Sequence, residues 1–201
     1  MDWNKLQNGS DIRGVALEGI EGESVNLTNE VTTALAQAFV AWLGEKNGKT
    51  AQTIAVGSDS RISSPALCKA FADGAAAAGA TVLNFGMAST PAMFMATVDE
   101  QLRADGAVMV TASHLPWNRN GLKFFTAKGG LEKADIARIL ELAPQFMGAE
   151  KKGNGEVKVV DFMATYCDIL ANYIRRGVNN GDQPLQGMHI IVDAGNGAGG
   201  F

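Results

Sequence analysis

The stretch TIAVGSDSRISSP, residues 53–65, decides the fold class. Thr53 to Val56 is a short β-branched apolar run, too brief for a helix and suited to a strand buried on both faces. Gly57 ends it, and the polar loop GSDSRISS follows. Ser64 as cap and Pro65 at the first helical position then open an alanine-rich helix to about Ala78. The same unit recurs downstream: Ala80–Phe85 reads as a strand, Gly86–Thr90 as a loop, and Thr90-Pro91 opens a helix through Leu102. A third strand, Ala107–Thr111, runs into the loop ASHLPWNRNG. Strands alternating with helices predict βαβ units.

Upstream, Val31, Leu35, Phe39, Trp42 and Leu43 recur at helical spacing between Thr28 and Lys46, with Gly48 as the stop. Downstream, Leu122–Thr126 alternates as an additional strand that can run antiparallel, and Ile136, Ile139, Leu140 and Leu142 mark a further helix. The expectation is an α/β fold with a mixed, mostly parallel sheet and helices on both faces. The glycine-rich polar segment 148–158 reads as a domain boundary. It splits the chain into a first domain over 1–150 and, over 151–201, a linker and the start of a second. That second part contains a helix over about Phe162–Arg176, a strand at His189–Val192 and the turn DAGNGAGG. Its last strand has no crossover after it, so a truncated second domain is expected.

Composition narrows the function. Lys+Arg 17 against Asp+Glu 21 gives a net charge of −4, with no basic stripe for nucleic acid or an anionic membrane. No apolar run approaches the ~20 residues of a membrane span, and the start lacks a signal peptide, so a cytoplasmic location is expected. Cys68 and Cys167 form no CxxC pair and read as buried structural thiols. The 24 glycines exceed the roughly 14 that average usage of ~7% would place in 201 residues. Such an excess suits tight turns and close backbone approaches.

In an open α/β sheet, ligands sit beyond the carboxyl ends of the strands, and the loop 111–121 is the richest there. It holds Ser113, His114 and Arg119, with Lys123 just beyond. A hydrolase reading of Ser113 needs a base within reach. Adjacent residues in extended chain point to opposite sides, which places His114 poorly, and the GxSxG elbow is missing because Thr111 and Leu115 occupy its glycine positions. Phosphoryl transfer fits better, since it depends on cations that balance phosphate charge; Arg13, Lys123, Arg61 and Arg119 are the candidates to converge on Ser113. Asp59 with Arg61 reads as a catalytic pair or as a salt bridge shaping the turn. Trp117 reads as a sugar-stacking ring or as loop packing, and His189 as a structural histidine. Gly195, Gly197 and Gly200 match GxGxxG, whose confirming helix and acidic residue would lie past Phe201; a tight turn that approaches phosphate or another domain is the reading preferred over a dinucleotide site.

Together these loops resemble the α-D-phosphohexomutase family, which includes phosphomannomutase and phosphoglucomutase. Thr111-Ala112-Ser113-His114, Pro116, Asn120-Gly121 and Lys123 resemble the phosphoserine loop TASHNPxxxNGxK. Asp11–Gly14 is similar to the DIRG element, 56–64 to the GRDSRxSS loop, 86–91 to the GxxxTP loop, and 192–200 to the opening of the family's second domain. The resemblance implies a phosphohexomutase that moves phosphate between the 1- and 6-positions of a hexose phosphate. Ser113 would carry the phosphate and pass it through a hexose bisphosphate, and Mg2+ would bind at that phosphate. Lys123 would transfer protons, Arg13 would steady the substrate and His114 would be a polar partner.

Two residues depart from the pattern: Leu115 replaces an Asn whose role Asn118 or a backbone amide would take over, and Ser58 replaces an Arg. The DGD triplet that holds the metal in the family occurs nowhere in the 201 residues, so the piece alone is expected to be inactive. The competing reading is a non-catalytic phosphosugar-binding or scaffold fragment; a dinucleotide oxidoreductase is third.

Overall fold

The computed structural model describes residues 1–149, 153–179, 181–195 and 197–200. Its centre is one mixed sheet built from β1 (Gln7–Asn8), β2 (Asp11–Val15), β3 (Thr53–Ser58), β4 (Thr81–Met87), β5 (Gly106–Val110), β6 (Arg119–Thr126), β7 (Gly129–Gly130) and β8 (Glu156–Val159). The order is β1-β2-β6-β5-β3-β4-β8, with β7 beside β6. The strands β5, β3, β4 and β8 run parallel, and β6, β2 and β1 form an antiparallel flank. Helices α1 (Asn29–Asn47), α2 (Ser64–Ala77), α3 (Thr90–Val98), α4 (Lys133–Leu142) and α5 (Phe162–Val178) accompany it.

Strand alternation divides the core between the two faces. Ile54, Val56, Val82, Val108, Leu122 and Phe124 pack with α1, α2 and α4. Ala55, Leu83, Phe85, Met109 and Phe125 point the other way, onto α3 and the start of α5. The helices therefore cover both faces, as expected. Thr28 caps α1 by accepting from the Val31 amide at 3.2 Å, and Gly48, at φ +70°, closes it in the left-handed region.

Several boundaries differ from the sequence reading. Ser63 and Ser89, rather than Ser64 and Thr90, hold the N-cap positions of α2 and α3. Helix α3 stops at Val98 instead of Leu102, because the Asp99 carboxylate accepts from the Gln101 and Leu102 amides and forms a turn. Part of the segment expected to be a boundary is instead strand β8, which pairs in parallel with β4. Gly153 and Gly155 lead into it by donating to Ala77 and Ala76 carbonyls. Phe162 and Tyr166 of α5 are likewise buried in the core. The expected division between residues 150 and 151 itself lies outside the described residues.

The strand expected at 189–192 does not form. Ile190, Ile191 and Val192 are exposed and no strand pairs with them among the described residues. An apolar run without a partner cannot satisfy its main-chain hydrogen bonds as a sheet. Cys68 is buried, whereas Cys167 is exposed, contrary to expectation. No helix of the described residues is long and apolar enough to cross a membrane.

Candidate active site

At the carboxyl ends of β3, β4 and β5 the chain leaves the sheet in three neighbouring loops. Asp59, Arg61, Ser89, Thr90, Thr111 and Ser113 line a cleft of about 350 Å³ there. A larger cleft, about 820 Å³, lies at the other end of these strands between Trp42, Arg103 and Lys128. Two ion pairs, Lys46–Asp135 and Lys49–Asp105, line it. None of the residues singled out for chemistry lies in it, so the smaller cleft is the candidate site.

Ser113 stands exposed at the head of its loop with φ +56°. This left-handed conformation is uncommon for a residue with a side chain, and it overturns the expected disposition of His114. Because the backbone is not extended at Ser113, both side chains fall on one side, and Oγ lies 3.2 Å from His114 Nδ1. His114 is thus a direct hydrogen-bond partner of the serine.

The loop is held by a pair from the β3–α2 loop. Asp59 accepts from the Arg61 amide at 3.0 Å, from Ser64 Oγ at 2.5 Å and from Thr111 Oγ1 at 2.7 Å. An ionised carboxylate only accepts, so the Thr111 hydroxyl donates to it and is left to accept from the Ser113 amide, at 3.0 Å. Arg61 lies 3.3 Å from Asp59 through Nε. Its two terminal nitrogens donate to four main-chain oxygens, those of Pro116, Arg119, Ser113 and Leu115, at 2.7–3.1 Å. The two readings of Asp59 and Arg61 resolve in favour of loop shaping.

Arg13 and Lys123 come together, but on a carboxylate that sequence reasoning had not singled out for a role. Buried Asp11 accepts from Arg13 at 2.9 Å and from Lys123 at 2.5 Å. The register explains it: Arg13 faces Gly121 across β2 and β6, which sets Asp11 opposite Lys123 on the same face. Neither cation hydrogen-bonds to Ser113. The link to the serine loop is main chain, from the Thr111 amide to the Gly121 carbonyl at 3.0 Å. Arg119 does not converge either; it pairs with Glu23, which also accepts from Asn118. Those hydrogen bonds, Asn118 first and Arg119 second, hold the Glu23 carboxyl below its ordinary pKa, so it stays charged at neutral pH.

Asn118 is fully buried in that anchor and does not substitute for the amide lost at Leu115. Ser58, where an arginine was expected from the pattern, is also buried, and its carbonyl accepts from Ala88. Trp117 is half exposed and lies close to the backbone at Gly19. His189 is exposed rather than structural, and Asp193 accepts from the Gly195 amide.

A metal fits these residues poorly. Among the described residues no three histidine, cysteine or carboxylate side chains cluster. Asp11 and Asp59 are both committed to hydrogen bonds on each oxygen. A phosphate on Ser113 would supply one hard oxygen ligand, and a magnesium ion needs near-octahedral oxygen coordination.

Residues 4–145 match the family model described as phosphoglucomutase/phosphomannomutase, alpha/beta/alpha domain I. The chain is 33% identical to a phosphomannomutase of Vibrio cholerae, over 87% of the chain and 36% of that protein. It is 31% identical to a phosphoglucomutase/phosphomannomutase of Thermococcus kodakarensis, over 97% of the chain and 40% of that protein. A phosphoglucosamine mutase of Kineococcus radiotolerans matches at 32%, over 90% of the chain and 40% of its own length. A crystal structure of a phosphoglucomutase/phosphomannomutase family protein from Burkholderia thailandensis superposes with a TM-score of 0.63 at 25% identity, covering 86% of the chain and 35% of that structure. The chain thus spans well under half the length of these relatives. Sheet order, serine loop and family match agree: the chain belongs to the phosphoglucomutase/phosphomannomutase family and carries its domain I.

Proposed function

We propose that the whole protein to which this chain contributes is a cytoplasmic phosphohexomutase. It would move phosphate between the 1- and 6-positions of a hexose phosphate, with Ser113 as the phosphate carrier and a hexose bisphosphate as intermediate. The observation that carries this reading is the exposed Ser113 hydroxyl on a loop whose main chain is otherwise tied down by Asp59 and Arg61. A held loop that leaves its serine hydroxyl exposed suits a reaction governed by positioning and charge balance.

In the first transfer the bond between phosphorus and Ser113 Oγ breaks as a sugar hydroxyl oxygen bonds to phosphorus; the hydroxyl proton passes to Lys123 acting as the neutral amine, which becomes the ammonium that Asp11 holds, and the freed Ser113 Oγ takes up a proton from solvent. Arg13, on the same carboxylate, offers its guanidinium to the sugar phosphate. After the bisphosphate turns over in the site, the reverse transfer returns phosphate to Ser113. His114 steadies Oγ between transfers. Magnesium would balance charge at the phosphoserine, with most of its ligands outside these 201 residues.

Incubating the whole protein with glucose 1,6-bisphosphate tests the reading. Intact mass spectrometry is expected to show one added phosphate that peptide mapping places on Ser113; an unmodified serine would contradict it. The 201-residue chain alone is expected to show no phosphoglucomutase turnover in a coupled assay, and measurable turnover would refute that part.

A further inference from the structure

Arg61 lies 52 residues from Ser113 in sequence, yet its guanidinium gathers the carbonyl oxygens of Ser113, Leu115, Pro116 and Arg119. Four inward-turned carbonyls have an electrostatic consequence. Each carries partial negative charge, and left facing the cleft they would repel a phosphate of roughly −1.5 to −2 charge. Arg61 instead offsets that charge with its own. In a trans peptide the N–H of the next residue points opposite to the carbonyl, and no peptide bond here is cis. Turning the Ser113 and Pro116 carbonyls towards Arg61 therefore turns the His114 and Trp117 amides away from it. Neither amide finds an acceptor among the described residues.

We propose that Arg61 is a positioning residue for Ser113: by holding four carbonyls it locks the left-handed serine and presents the His114 and Trp117 N–H groups to the phosphate. This rests on the phosphoserine reading above. Asp59 completes the device, because it orients Arg61 and, through Thr111, holds the Ser113 amide. Lysine cannot replace the guanidinium here, since one ammonium cannot span four oxygens in a plane.

Two measurements separate this role from a general effect on folding. In the 201-residue chain, hydrogen exchange of the Ser113, Leu115 and Arg119 amides is expected to quicken at least about tenfold in Arg61→Lys, with residues 107–110 and 122–126 unchanged. Equal exchange in both proteins overturns the proposal whatever the activity. In the whole protein, Arg61→Lys and Arg61→Ala are expected to lose about 10²-fold in kcat with little change in KM, as for a misplaced reacting group. Added guanidinium should restore part of that loss in Arg61→Ala but not in Arg61→Lys. A kcat near wild type in Arg61→Lys overturns the proposal, whereas a wild-type protein that never takes phosphate on Ser113 refutes the phosphoserine reading and leaves the exchange result to judge Arg61.

Discussion

Ser113→Ala is expected to lower mutase turnover of the whole protein by at least about 10³-fold while leaving its melting temperature nearly unchanged. The side chain is exposed, and among the described residues its one hydrogen bond is to the neighbouring His114. The fold therefore loses almost nothing when Oγ is removed. The reaction loses the atom that carries phosphate between turnovers, and the hydroxyl of Thr111 in the same loop is already committed, donating to Asp59 and accepting from the Ser113 amide. Ser113→Gly is the control for backbone effects, because glycine adopts the φ of +56° seen here without a steric penalty. Both variants should be equally inactive in a coupled assay with glucose 1-phosphate. Turnover within tenfold of wild type in either would remove Ser113 from the mechanism.

The fold was legible where burial leaves a period in the sequence. Helix α1 shows its apolar spacing, its threonine cap and its closing glycine, and all three are in place. Strands β3, β4 and β5 read as apolar runs because both faces are covered. Strand β8 left no such trace: all four of its residues are exposed, and it exists through main-chain pairing to β4. His189–Val192 shows the converse, an apolar run with no partner. In the site, residue types were legible and contacts were not. Asp11 meets Lys123 across 112 residues, a pairing that depends on strand register. His114 reaches Ser113 Oγ because Ser113 is left-handed, a backbone state that residue types do not announce and that an extended chain would not give.

The Asn120-Gly121 pair shows how fold and site share residues, and Gly121→Ala is the sharpest test of that. Asn120 is fully buried and donates to Ser63 and Ser64 at the start of α2. Gly121 lies in β6 between β2 and the end of β5. A Cβ at Gly121 would come 2.4 Å from the Ile12 carbonyl oxygen, 3.0 Å from that of Thr111 and 2.9 Å from Arg13 Cγ. Two of these atoms are backbone and cannot rotate away, so the methyl must part β6 from β2. The expected destabilisation is about 2–4 kcal/mol, a drop of roughly 5–12 °C in melting temperature for a chain of this size. Parting the strands would also move Arg13, which pairs with Gly121, and Thr111, whose amide bonds to the Gly121 carbonyl. Phosphate uptake at Ser113 should then fall further than the loss of folded protein explains. Gly130→Ala, where a Cβ has nothing nearer than 3.9 Å, should melt within about 2 °C of wild type, a shift of under 1 kcal/mol. If thermal unfolding followed by circular dichroism places Gly121→Ala beside Gly130→Ala, the close approach of β2 to β6 is not what makes glycine necessary, and the motif's Asn-Gly pair would need another physical reason.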